Sequence, residues 1–131
     1  GLSLSNALSL TVGNDDTKDE PLHSINPFKF ISNLKYEFPG EKLVAQVTNT
    51  FTGEPTVKDS YSDFKPESWV KTDLEIGLNV SKSLSTSFGA FNIFDTKYYH
   101  WSDIRQSSGT SNHERYAQPG RHFKAGFSYK F

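Results

Sequence analysis

The chain has 131 residues, which is enough for one ordinary domain. Its formal net charge is −1, so it has no excess of positive charge that would attract a polyanionic partner. It has no cysteine, so disulfides and thiolate metal sites are excluded. Apolar residues make up 34% of the chain, but no run of about 18 apolar residues occurs, so a membrane-spanning helix is excluded as well.

Alternating apolar and polar residues, the pattern of a β-strand with two different faces, recur six times along the chain. Asn6 interrupts the apolar face of the first stretch, and the last stretch ends on an aromatic residue, Phe131. In chain order the stretches are "LSLSNALSLTV" (2–12), "FKFISNLKYEF" (28–38), "LVAQVTNTF" (43–51), "VKTDLEIGLNVS" (70–81), "LSTSFGAFNIF" (84–94) and "FKAGFSYKF" (123–131). We therefore predict an all-β chain of six strands.

The connections between these strands alternate in length. Long polar connections follow the first, third and fifth strands, whereas only "PGE" follows the second strand and "KS" the fourth. Short periplasmic turns, long extracellular loops and strands of about 9–11 residues are typical of an outer-membrane barrel. We therefore expect an antiparallel, up-and-down, transmembrane β-barrel segment, in which Phe131 lies at the periplasmic rim.

The fourth strand indicates which face meets water. Unpaired buried charges cost several kcal/mol each, so its polar face is expected to meet a wet lumen and its apolar face to meet lipid. The polar residues are Lys71, Asp73, Glu75 and Asn79, and the apolar residues are Val70, Leu74, Ile76, Leu78 and Val80.

Several stretches resemble one known family. "FNIFDTKYYHW", followed by "IR" and "RYAQPGRHF", is similar to the end of TonB-dependent outer-membrane receptors. The combination of "YYHW", "IR" and "RYAQPGR" most resembles the haemoglobin/haem and transferrin/lactoferrin receptor group, and "EPLHSINPFKFISNLKYEF" and "FKPESWVKTDLEIGLNVSKSLS" are similar to that group in the same order. The closing strand resembles the C-terminal signal read by the bacterial barrel-assembly machinery, and the residues of that signal are Phe123, Phe127, Tyr129 and Phe131.

The resemblance implies that the chain is one part of a larger receptor. Such receptors are barrels of 22 strands with an N-terminal plug that engages TonB. Residues 1–131 are therefore expected to be the C-terminal portion of the barrel, about six strands, with the plug domain and the TonB box absent. The expected location is the outer membrane of a Gram-negative bacterium. The expected partners are outer-membrane lipid and lipopolysaccharide, the rest of the same receptor, TonB through that missing part, the barrel-assembly machinery, and haemoglobin, a hemophore or transferrin.

The implied function is uptake of haem, or of iron taken from host haem- and iron-binding proteins, with this chain supplying barrel wall and extracellular loops. Haem is then the transported ligand, and no cofactor or metal is assigned to this segment because "FRAP"-type and "NPNL"-type motifs are absent. No catalytic motif and no basic stripe occurs, so neither an enzyme nor a nucleic-acid partner is expected. Two alternatives stay open: a siderophore receptor, which "NIFDTKYY" allows, and a soluble antiparallel β-barrel binding protein.

Candidate residues for contact with a ligand or a partner lie around the last long connection. Imidazoles bind iron, aromatic rings stack on flat ligands, and guanidinium groups pair with carboxylates. Of the aromatic rings in "YYHW", two are expected in the aromatic girdle at the membrane surface and one is expected to point inward. The arginines have an alternative use in salt bridges within the loop or to lipopolysaccharide phosphates. The candidates are Tyr99, His100, Trp101, Arg105, His113, Arg115 and Tyr116.

Overall fold

The computed structural model describes residues 1–40, 42–57, 64–105 and 113–131. In chain order its strands are β1 (Leu2–Ser9), β2 (Asn14–Asp15), β3 (Glu20–Pro21), β4 (Lys29–Glu37), β5 (Leu43–Thr52), β6 (Trp69–Asn79), β7 (Leu84–Phe91) and β8 (His122–Tyr129). Strands β2 and β3 pair with each other, and the other six form one antiparallel sheet in which successive strands are neighbours. This confirms the predicted six-stranded, all-β, up-and-down arrangement.

The connections of the six-stranded sheet are divided between its two ends. Because the strands are antiparallel and sequential, all three long connections leave at one end and the two short turns leave at the other. Gly40, in the first short turn, has a φ of 87°, which is accessible to glycine without strain. The third long connection has a short helix, α1 (Trp101–Ile104), and a 3-10 turn (His113–Tyr116). Across the described ranges, no helix is both long and apolar enough to cross a membrane.

Two strands end three residues earlier than the alternation predicted. β1 ends at Ser9 rather than at residue 12, and β7 ends at Phe91 rather than at residue 94. Beyond β7 the backbone turns, because Asn92 has a φ of 51° and Asp95 a φ of 56°. Both values lie in the left-handed region, which asparagine and aspartate adopt more readily than most residues. Alternation of side chains therefore stops at Asn92.

The two faces of the sheet differ as predicted. Residues paired across antiparallel strands point to the same side, so the register defines rows of side chains. One row on the apolar face is Leu4, Leu34, Val47, Leu74, Ala90 and Phe123, and one row on the polar face is Ser3, Lys35, Gln46, Glu75, Gly89 and Lys124. Several large side chains of the apolar face are more than one third exposed, among them Leu4, Phe51, Phe88 and Phe127. An uncovered apolar face suits contact with lipid.

The six-stranded sheet is open. Within the described residues β1 and β8 are its two outer strands and do not pair with each other. Each outer strand therefore presents unpaired backbone groups along one side. The six strands therefore form an open sheet and not a closed barrel.

Candidate ligand-binding site

The long connections share a small hydrophobic core at their end of the sheet. Its buried residues are Val57, Trp101, which is 3% exposed, and Ile104, which is 1% exposed. Phe64, Tyr99 and Tyr116 pack against this group and are partly buried. The core therefore joins the second long connection to the third, and we call it the loop core.

The first long connection is tied to the loop core by hydrogen bonds. The indole Nε1 of Trp101 donates to the backbone oxygen of His23 at 2.8 Å, and the guanidinium of Arg105 donates to the backbone oxygen of Ser24. These bonds connect residues that are 78 and 81 positions apart in the sequence. All three long connections are thus held together as one unit.

Asn92, the first residue of the "NIFDTKYY" stretch, has a structural role at the end of β7. Its side chain, which is 1% exposed, donates from Nδ2 to the backbone oxygens of Thr96 (2.8 Å) and Pro119 (3.3 Å), while Oδ1 accepts the Thr96 N–H at 2.9 Å. The backbone N–H of Asn92 donates to Oδ1 of Asp73 on β6 at 2.8 Å. The backbone of Asn92 therefore ties the exit of β7 to β6, and its side-chain amide ties that exit to the approach to β8.

Asp95 completes this junction. Its Oδ1 accepts the backbone N–H of Arg121 at 2.7 Å. A Cβ atom added at Gly120 would lie 2.5 Å from the same oxygen, so this close approach needs a glycine. Pro119 and Gly120 therefore mark the place where the third long connection joins the last strand.

His100 lies between the loop core and the sheet. It precedes α1, is half-buried, and its ring centroid lies 5.7 Å from that of Trp69 and 5.6 Å from that of Tyr98. Burial lowers the pKa of His100, Asp103 partly opposes this, and the charges of Lys29 and Lys71 lower it further. The imidazole is therefore held in its neutral form at neutral pH.

A cavity of about 400 Å³ lies beside His100, between the polar face of the sheet and the third long connection. Its lining combines strand ends, which supply Lys29, Thr52 and Trp69, with loop residues, which supply Tyr99 and His100. The full lining is Ser9, Asn26, Pro27, Lys29, Thr52, Gly53, Pro66, Glu67, Trp69, Tyr99, His100, Trp101 and Ser102. Aromatic walls with a few polar groups are typical of small-molecule sites.

The expected aromatic girdle is not formed by "YYHW". Tyr98 is buried against the ring of Trp69 at 4.3 Å, and Trp101 is buried in the loop core. Tyr99 is partly buried and meets Phe64 edge to face at 5.1 Å. The girdle prediction is wrong because these residues follow Asn92 and have left the strand, so neighbouring rings no longer alternate between lipid and lumen.

The other candidates lie around the loop core. His113 stacks on Phe64 at 4.3 Å, and Tyr116 packs against the buried residues. Arg115 lies 4.8 Å from the ring of Tyr116 and donates to its hydroxyl at 2.7 Å. The guanidinium of Arg105 also bonds within the loops. Of the seven candidates, only Tyr99, His100 and Trp101 line the cavity.

Sequence reasoning missed the sheet residues of the cavity. Lys29, Thr52 and Trp69 lie at the ends of three different strands, on the polar face. Their polar-face positions could be inferred from the alternation, but their meeting depends on the strand register. That register is not visible in the alternation alone.

Several known proteins are similar to this chain over most of its length. The chain is 28% identical over 128 residues to lactoferrin-binding protein A of Neisseria meningitidis serogroup B, a match that covers 84% of this chain. It is 24% identical over 136 residues to haemoglobin-haptoglobin utilization protein B of Neisseria meningitidis serogroup C, covering 87% of the chain. Transferrin-binding protein A of Neisseria meningitidis serogroup B is 31% identical over 71 residues, which is 48% of the chain.

Solved structures agree with these relatives. The copper transporter OprC matches 99% of the chain with a TM-score of 0.81 and 22% identity. The ferric enterobactin receptor PfeA of Pseudomonas aeruginosa matches 100% of the chain with a TM-score of 0.76 and 23% identity. The chain is thus similar in sequence and in fold to TonB-dependent receptors. No family model matches it.

The chain spans only a small part of these TonB-dependent receptors. It covers 14% of lactoferrin-binding protein A and 17% of the haemoglobin-haptoglobin utilization protein, and 21% and 20% of the two solved chains. These relatives are named for binding and transport, so the proteins that this chain is similar to are receptors and transporters.

The last strand and the residues after it contain the residues of the expected assembly signal. Phe123, Phe127, Tyr129 and Phe131 are all exposed. Phe123 stacks on Phe88 of β7 at 6.1 Å, and Tyr129 meets Phe131 edge to face at 5.3 Å. Their recognition by the assembly machinery stays a prediction.

Proposed function

We propose that the chain forms part of the wall and the extracellular loops of an outer-membrane receptor of a Gram-negative bacterium. That receptor imports haem, or iron taken from host haem- and iron-binding proteins, and it is energised through TonB. The observation that carries the proposal is the match of 84% and 87% of the chain to relatives named for lactoferrin and for haemoglobin–haptoglobin.

The arrangement of the sheet supports this proposal. An uncovered apolar face suits the lipid of the membrane and the hydrocarbon part of lipopolysaccharide, and the polar face suits a wet lumen. The three long connections, held together by the loop core, emerge at one end, where a host protein is captured if that end is extracellular. The chain is then the C-terminal portion of the barrel, and the rest of the receptor supplies the plug.

Growth on defined iron sources tests the proposal. A strain of the source bacterium that lacks the intact receptor is grown with iron chelated and one source restored at a time: haemoglobin, haemoglobin–haptoglobin, transferrin or lactoferrin. We expect growth on at least one of these sources to require the intact receptor, and to fail when TonB is also removed.

Two results would contradict the proposal. Equal growth of the parent and the receptor-deficient strain on every host source would remove the proposed cargo. A growth defect seen only with a ferric siderophore would identify the siderophore receptor, the alternative within the same transport class.

A further inference from the structure

A lysine and an unpartnered hydroxyl lie side by side in the wall of the cavity. Lys29 begins β4, and its register partner on β5 is Thr52. Cβ atoms of such cross-strand neighbours are about 4.5–5.5 Å apart. Thr52 is 9% exposed, and its hydroxyl has no hydrogen-bond partner among the residues that the structure describes. An unpaired buried hydroxyl is unfavourable, so this wall is better satisfied when a ligand or a water is bound.

Lys29 is the cation of the cavity lining that is available to pair with a ligand. None of the ion pairs among the described residues includes it. The neighbouring Lys71, one row further along the polar face, is paired with Asp73 at 2.8 Å. Glu67 also lines the cavity, but it is exposed to solvent, where water and salt screen its charge.

The remaining walls suit the uncharged part of a ligand. Trp69 and Tyr99 add aromatic side chains to the lining of the cavity, and His100 adds an imidazole that can form a hydrogen bond. The lining thus combines one cation from the sheet with several aromatic side chains. An anionic oxygen attached to an apolar body fits this combination.

We propose that this cavity binds a carboxylate of the imported ligand, with the ammonium of Lys29 as its counter-ion and the hydroxyl of Thr52 as a second donor. The apolar part of the ligand lies against Trp69 and Tyr99. This assignment rests on the proposed function, because it names the chemistry by which the receptor holds its cargo. Such a carboxylate has two sources, a porphyrin side chain and a carboxylate chelator of iron.

Titration of the intact receptor in detergent tests the assignment. Haem and haem dimethyl ester, whose carboxylates are blocked, are titrated separately and followed by the Soret band, and ferric citrate is titrated by the quenching of tryptophan fluorescence. We expect the variants Lys29→Gln and Thr52→Val each to weaken binding of the carboxylate ligand about tenfold, as expected for the loss of one charge-assisted hydrogen bond. Binding of the ester is expected to change little.

Three matched variants sharpen the test. Lys35→Gln removes a lysine from the polar face of the same strand, one already paired with Glu37 at 2.6 Å, and is expected to have no effect. Thr52→Ser keeps the hydroxyl and is expected to restore the affinity lost in Thr52→Val. Glu67→Gln is expected to leave the affinity unchanged or to raise it.

Each outcome decides between the alternatives. Weaker binding of haem by the Lys29 variant supports the porphyrin as the source of the carboxylate, and weaker binding of ferric citrate alone supports the chelator. Unchanged binding by both variants, with the parent receptor binding normally, overturns the assignment and leaves the proposed function standing. Failure of the parent receptor to bind either ligand overturns the assignment, and the growth test on host iron sources then decides the proposed function separately.

Discussion

The pKa of His100 is influenced by residues of both the sheet and the loops. This residue belongs to the third long connection, yet Lys29 of β4 and Lys71 of β6 both lower its pKa. Burial, the largest cause, acts in the same direction. The folded protein therefore favours the neutral imidazole, whereas the unfolded chain takes up a proton near the ordinary value of about 6.5. Acid should accordingly weaken the loops around this residue.

Because folding lowers the pKa of His100, we expect the stability of the third long connection to depend on pH. Above about pH 6.5 the imidazole is neutral in both states and contributes nothing, and as the pH falls below that value the protonated, open form of the loop is increasingly favoured. We expect the hydrogen-exchange protection factors of the amides around α1, which correct for the slower intrinsic exchange at lower pH, to fall more in the parent receptor than in His100→Gln between pH 7 and pH 5.5. The effect should be partial, because the ring is only half-buried. Identical pH dependence of the protection factors in the two proteins would contradict this role of His100.

At the scale of elements, two side chains hold the junction between β7 and β8 beyond Phe91 and His122, where the pairing of these strands ends. Asn92 bonds to Thr96 and Pro119, and Asp95 bonds to the N–H of Arg121. These bonds fix where the third long connection leaves one strand and enters the next. Asn92 and Asp95 of "NIFDTKYY" therefore have a structural role that does not depend on a ligand.

Asn92→Gly tests this junction without adding backbone strain, because glycine accepts the φ of 51°. We expect the loss of the buried amide to destabilise the junction locally by about 1–3 kcal/mol, since it leaves the Thr96 N–H and the Pro119 oxygen without this partner. Limited proteolysis of the intact receptor should then cut the third long connection faster. Asn6→Gly, which alters an exposed asparagine on β1, is the control and should behave like the parent. Equal cleavage rates for all three proteins would contradict this role.

The sheet could be predicted from the sequence, whereas the cavity could not. Period-two alternation and connection length depend on local sequence, so six strands, their order and their two faces follow from it. The cavity depends on the register that pairs Lys29 with Thr52 and on the fold of a connection without periodicity. The girdle prediction failed for the same reason, since alternation ends at Asn92.

At the scale of the whole molecule, the open sheet predicts dependence on the rest of the receptor. Within the described residues β1 and β8 have one unpaired side each, and large apolar side chains of one face are exposed. Unpaired backbone groups are strongly unfavourable in lipid. Six strands therefore lack both a closed barrel and a covering for the apolar face.

The chain on its own is accordingly expected not to form a stable structure. Refolded in detergent alone, it should show no cooperative thermal unfolding by circular dichroism, whereas the intact receptor refolded in the same way should show it. Co-refolding with the remainder of the receptor as a separate chain should restore part of the transition. A monodisperse, detergent-free monomer that unfolds cooperatively would favour the soluble binding protein instead.

The hydrogen bonds that join Trp101 to His23 and Arg105 to Ser24 also bear on the order of folding events. They close loops of 78 and 81 residues, and contacts at such sequence separation form slowly because much chain entropy is lost before they form. The strand pairs between them are neighbours in sequence and can form earlier. We therefore expect the ligand-facing surface to become native last. A receptor halted during folding would have its wall in place while its binding surface is still unformed.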